Sequence, residues 1–130
     1  MTTLDTLDAF TRAYIDAAIW TDCNPDNEEL CDKTEDDLAP ETVKRMAEDC
    51  ARFQSESALL LERASTFGGE HLDGYGSYQA GLDFWLTRNR HGVGFWDRGL
   101  DEIGEALTQA AHKFPETRLY LGDDGKIYCS

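Results

Sequence analysis

Near the start of the chain, apolar side chains recur at helical spacing, at Leu4, Leu7, Phe10, Tyr14 and Ala17, behind Thr and Asp residues suited to a helix start. Steps of three and four keep such side chains on one face, so residues 4–20 read as an amphipathic helix. The pattern then stops. Residues 21–38 carry Asn, Asp and Pro signals without periodicity and read as a long acidic loop with at most one short turn. Pro40 fits the first turn of a second helix, and Val43, Met46, Ala47, Cys50, Phe53, Leu60, Leu61 and Ala64 supply its apolar stripe, so one uninterrupted helix is expected over 40–65. Gly68, Gly69, Gly74 and Gly76 end it.

Ser77 is expected to cap a third helix over 77–89, with Ala80, Phe84 and Leu86 facing inward. A glycine-punctuated aromatic loop at 91–99 leads to a fourth helix over 100–113, whose buried face is Leu100, Ile103, Leu107, Ala110 and Ala111, and Pro115 closes it. The tail changes period: residues 118–122 and 126–129 flank Asp123-Asp124-Gly125, which predicts a β-hairpin over 117–129 because Asp-Gly tolerates the positive φ of tight turns. The expected fold is α+β, a mostly helical single domain of about four helices with a C-terminal hairpin. A lone hairpin is marginal in water, so this one must pack on the helices or gain a further strand.

Composition narrows the class. A chain of 130 residues with 41% hydrophobic residues is long enough to bury a core without a staple. No apolar run reaches membrane-spanning length and the N-terminal MTTLDTLDAF lacks a signal-peptide pattern, so a soluble, cytoplasmic protein is expected. The four cysteines, Cys23, Cys31, Cys50 and Cys129, match no metal-ligand spacing and are expected as free thiols, with Cys50 in the core and Cys23 and Cys31 flanking the acidic loop as at most an opportunistic redox or metal pair. Asp22, Asn24 and Asp26 imitate the start of a calcium loop, but Asn27 and Lys33 stand where that loop needs Gly and Glu. No metal or cofactor is implied.

Charge changes the picture most. Acidic residues number 26 against 12 basic ones, for a net charge of −14, and residues 1–76 hold eighteen acids against six bases. Within that half, Asp22, Asp26, Glu28, Glu29, Asp32, Glu35, Asp36 and Asp37 face Lys33 alone. Such a field repels nucleic acid and acidic membranes and attracts basic protein surfaces.

The segment AGLDFWLTRNRHGVGFWDRG at 80–99 is the most distinctive stretch of the chain. It resembles a motif of small acidic proteins encoded by bacteriophages and prophages, which also share a tail like GDDGKIY at 122–128. The likeness extends to Trp20 with its acidic loop and to residues 38–50, and so covers most of the chain. Arg90 stands where that pattern has a small residue. The resemblance implies a phage product acting in an infected bacterium and carries no activity or site residue with it.

Two roles suit the motif. In one, Phe84-Trp85 and Phe95-Trp96 fill a structural crossing, Asp83 or Asp97 pairs with an arginine, and Trp96→Ala costs about 3–5 kcal/mol. In the other, Arg88, Arg90, His91, Trp96 and Arg98 form a pocket for an anionic or planar ligand, or a small enzyme site. No nucleophile or carboxylate is tied to His91 by a catalytic spacing, and His71 and His112 read as solvent-facing. The leading expectation is a non-enzymatic inhibitor whose carboxylates mimic DNA phosphates and block a host restriction, CRISPR or other DNA-handling protein. A merely solvated acidic surface, and a structural or accessory phage protein with the option of homodimerisation, are the other readings.

Overall fold

The computed structural model describes residues 7–25, 27–67 and 75–130. Among them are five α-helices and one antiparallel hairpin, as the α+β reading requires. Helix α1 spans Ala9–Asp22; the Asp8 carboxylate accepts the Thr11 amide at 2.8 Å and caps it, so the described helix starts later than position 4. Leu4, Gly68, Gly69, His71 and Gly74 lie outside the described residues.

The long second helix is two. Helix α2 runs Pro40–Glu56 and α3 runs Ala58–Phe67, with the break at Ser57. Ser57 falls on the apolar stripe and is buried, and the Ser55-Glu56-Ser57 run offers side-chain competitors for the backbone. The Ser57 amide still donates to the Phe53 carbonyl and its own carbonyl accepts from the Leu61 amide, so the chain bends without losing those bonds. Val43, Met46, Cys50, Phe53 and Ala64 are buried as the stripe predicts.

Helix α4, Ser77–Arg88, follows Gly76, which takes the capping position expected of Ser77. It lies at the centre of the molecule: Ala80, Gly81 and every residue from Asp83 to Arg88 are buried. From Asp83 onward the helix is covered on all sides and has no exposed face to mark its period, which is why only part of its burial is visible in the sequence. Its closest partner is α1, and a side chain at Gly81 would collide with the Phe10 carbonyl oxygen. Around this crossing the Phe53 and Phe84 rings stack with centroids 4.2 Å apart, and Phe114 meets Phe84 edge-on at 5.0 Å.

Helix α5, Glu102–His112, begins two residues later than expected because Leu100 is buried in the preceding loop and Asp101 takes a left-handed φ of 54°. His112, expected in solvent, is half-buried. The hairpin pairs β1, Leu119–Leu121, with β2, Ile127–Cys129, in the register Leu119↔Cys129, and Gly125 supplies the positive φ of 79°. Of the two expected forms of support, packing on the helices is present, and in place of a further strand there is a single bridge. Leu119 and Ile127 are buried, and Leu38 bridges Ile127 in parallel while the Ala39 amide donates to the Ile127 carbonyl at 3.0 Å.

Candidate interaction surface

The acidic segment is more ordered than a loop. It contains two short helical turns, Glu28–Leu30 and Glu35–Asp37. Leu30 is fully buried and pins the first; the second is capped by Thr34, whose amide donates to Asp37 at 2.9 Å while its hydroxyl accepts from the Asp36 amide at 3.3 Å. The expectation of four free thiols is corrected here. Cys23 and Cys31 form a disulfide across the first turn, and only Cys50 and Cys129 are free. The folded-back turn brings their Cα atoms to 4.8 Å, within the reach of such a bond, a proximity that spacing alone did not reveal. Cys50 is buried as expected, and that burial pushes its thiol pKa up.

The eight acidic residues do not form one continuous surface. Glu28, Glu29, Asp32 and Asp36 are exposed. Glu35 is half-buried and 3.6 Å from Arg12, and Asp37 is half-buried and committed to its cap. Asp22 is turned inward: it is 4% exposed and accepts the Leu119 amide at 2.8 Å, tying α1 to the hairpin. Burial raises its pKa, against the opposing pull of that amide, Arg118 and His91. Asp26 lies outside the described residues.

The arginine and aromatic loop is dispersed rather than gathered. Arg88 is 2% exposed and donates to Asp49 at 2.8 Å, Tyr14 at 3.0 Å and the Pro115 carbonyl at 2.7 Å. Arg98 grips the fully buried Asp83 at 2.8 Å, in the pairing the sequence suggested, and Gln79 and Tyr75 donate to the same carboxylate. Burial and the Asp83 charge push the Tyr75 pKa up. Arg90 and His91 are exposed. Trp96, expected in the core, is 55% exposed, because the tight turn Phe95–Asp97 directs Phe95 inward and its neighbour outward. Two arginines are therefore structural ties, and His91 faces a depression shared with Trp20 and Val93 rather than with the arginines.

Trp20, at the end of α1, was noted in the sequence only as part of a resemblance; it is 72% exposed. Local spacing gave no signal of this exposure, since position 20 follows the buried Ala13 and Ala17 at steps of four and three. The indole stands between two shallow depressions of about 380 Å³ and about 420 Å³ that share Cys23. Asp16 and Glu35 line the first, His91 and Val93 the second.

Among the described residues no helix is long and apolar enough to cross a membrane, and no group of three or more His, Cys, Asp or Glu residues is placed to hold a metal ion. No protein-family model, curated protein or solved structure shows significant similarity to the chain.

Proposed function

We propose that this chain is a binding protein whose acidic face occupies a basic, nucleic-acid-handling surface of a host protein in place of phosphates. The observation that carries the reading is the presentation of Glu28, Glu29, Asp32 and Asp36, all exposed, on a segment held by a buried leucine and a capping box. Carboxylates held on a fixed frame need little ordering when a partner binds, and a fixed array suits a groove built for regularly spaced phosphates. The net charge of −14 steers a basic partner and repels nucleic acid itself. The resemblance of residues 80–99 to phage proteins is the support for a bacterial host, with its defence or DNA-handling proteins, of the CRISPR or restriction type, as the targets.

The test is a phage infection assay against cells carrying single defence systems, comparing the native chain with the combined variant Glu28→Gln, Glu29→Gln, Asp32→Asn, Asp36→Asn. The native chain restores plaquing against at least one system and the neutralised chain loses that protection. The purified pair then competes with DNA and weakens steeply with salt. Full protection by the neutralised chain would sink the reading.

A further inference from the structure

The exposed tryptophan gives the acidic face a feature that a charged surface alone does not need. Trp20 is left exposed near the C-terminal end of α1, whereas Trp85 serves the core, fully buried and donating to the Thr21 hydroxyl at 2.7 Å. An indole left 72% in water sacrifices apolar burial, and tryptophans of this kind are enriched among the anchors of protein interfaces. The trough on one side of Trp20 is floored by Ile19, Leu30 and the Cys23–Cys31 disulfide. Its wall carries Asp16 and Glu35, and the exposed carboxylates Glu28, Glu29 and Asp32 belong to the same disulfide-closed segment or adjoin it. Asp16 already accepts from the Tyr78 hydroxyl at 3.1 Å and Glu35 faces Arg12 at 3.6 Å, yet each carboxylate has capacity for further donors.

An aromatic plane beside carboxylates, over an apolar floor, suits one side chain best. The guanidinium group is planar and weakly hydrated, stacks on an indole and pairs with a carboxylate through parallel N–H groups, whereas an ammonium is compact and strongly hydrated. We propose that the trough beside Trp20 is the docking site for an arginine-bearing segment of a basic protein partner, with the guanidinium stacked on Trp20 and paired with Asp16 or Glu35. This rests on the reading of the acidic face as a surface for basic proteins and assigns it an anchor. Arginine is thereby favoured over lysine at equal charge.

Oligo-arginine and oligo-lysine peptides of equal length serve as probes for the full chain with its disulfide intact. Binding is followed by calorimetry and by the indole N–H signals of the three tryptophans in heteronuclear NMR spectra. Oligo-arginine should move the Trp20 signal and leave that of Trp85 in place. Trp20→Ala should weaken oligo-arginine by about two- to fivefold and oligo-lysine by less than about twofold, a range set by cation–π strengths at exposed sites. Trp96→Ala, which removes the other exposed indole, should change neither, and circular dichroism confirms that each variant folds. If Trp20→Ala binds both peptides like the native chain while the four-carboxylate variant loses them, the Trp20 site is overturned and the acidic face stands. If the native chain binds neither peptide at low salt, both readings fail. If Trp20→Ala instead abolishes self-association seen by sedimentation, the occupant is a second copy of this chain and the proposal fails.

Discussion

Adjacent tryptophans and phenylalanines look alike in the sequence and differ sharply in what surrounds them. In α4 both members of the Phe84-Trp85 pair are buried, because neighbouring elements cover the second half of the helix on every side. In the Phe95–Asp97 turn only Phe95 reaches the core. Trp85 is fully buried, packs edge-on against Tyr14 at 5.2 Å and donates a 2.7 Å hydrogen bond. Trp85→Ala should therefore cost about 3–5 kcal/mol, and Trp96→Ala less than about 1 kcal/mol. Thermal or denaturant unfolding of the two variants checks this, and equal losses would contradict the assigned orientations. At the same scale, Arg88 and Arg98 show how a motif can mislead. Guanidinium groups next to aromatics suggest ligand binding, but both are held by carboxylates, Asp49 and Asp83, that lie 39 and 15 residues away in sequence. Distant pairing of this sort leaves no periodic trace.

Elements with a one-sided environment were legible, and those decided by long-range contacts were not. The stripe of α2, the buried Leu107 and Ala111 of α5 and the Asp-Gly turn of the hairpin each follow from local spacing. The inward turn of Asp22 and the bridge from Leu38 to Ile127 depend on partners elsewhere in the chain. The acidic segment belongs to the second group. Its composition is that of a flexible loop, yet Leu30, the Thr34 cap and the disulfide between residues eight apart make it a framed surface. Closing a ring of that size removes denatured-chain freedom worth about 2–3 kcal/mol in the chain-entropy model. The Cys23→Ser, Cys31→Ser double variant should unfold at correspondingly lower denaturant, and amide hydrogens of residues 27–31 should exchange faster than those of α4. Unchanged exchange in that segment would show that Leu30 and the cap suffice to hold it.

For the molecule as a whole, the question is whether charge helps or opposes folding. Buried pairing is concentrated in two places, Arg88 with Asp49 and Arg98 with the fully buried Asp83, and pairs so enclosed are poorly screened by salt. The exposed pair Arg52–Glu56, at 3.8 Å on one helix face, contributes little. Against these stands a net charge of −14 spread over a compact surface, with Glu28, Glu29, Asp32 and Asp36 crowded on one segment. Folding brings these like charges together, and their repulsion acts through solvent, where a Debye length of about 10 Å at 0.1 M salt weakens it. Added sodium chloride should therefore raise the melting temperature, because it screens the exposed repulsion and leaves the buried pairs nearly intact. The four-carboxylate variant should start from a higher melting temperature at low salt and gain less from the same addition. Calorimetric melts of both proteins from about 0.01 M to about 0.3 M salt, across which the Debye length shortens several-fold, decide the point. A melting temperature that falls with salt in the native chain would mean that ion pairing outweighs repulsion, and the acidic face would then be a stabilising network rather than a strained surface kept for a partner.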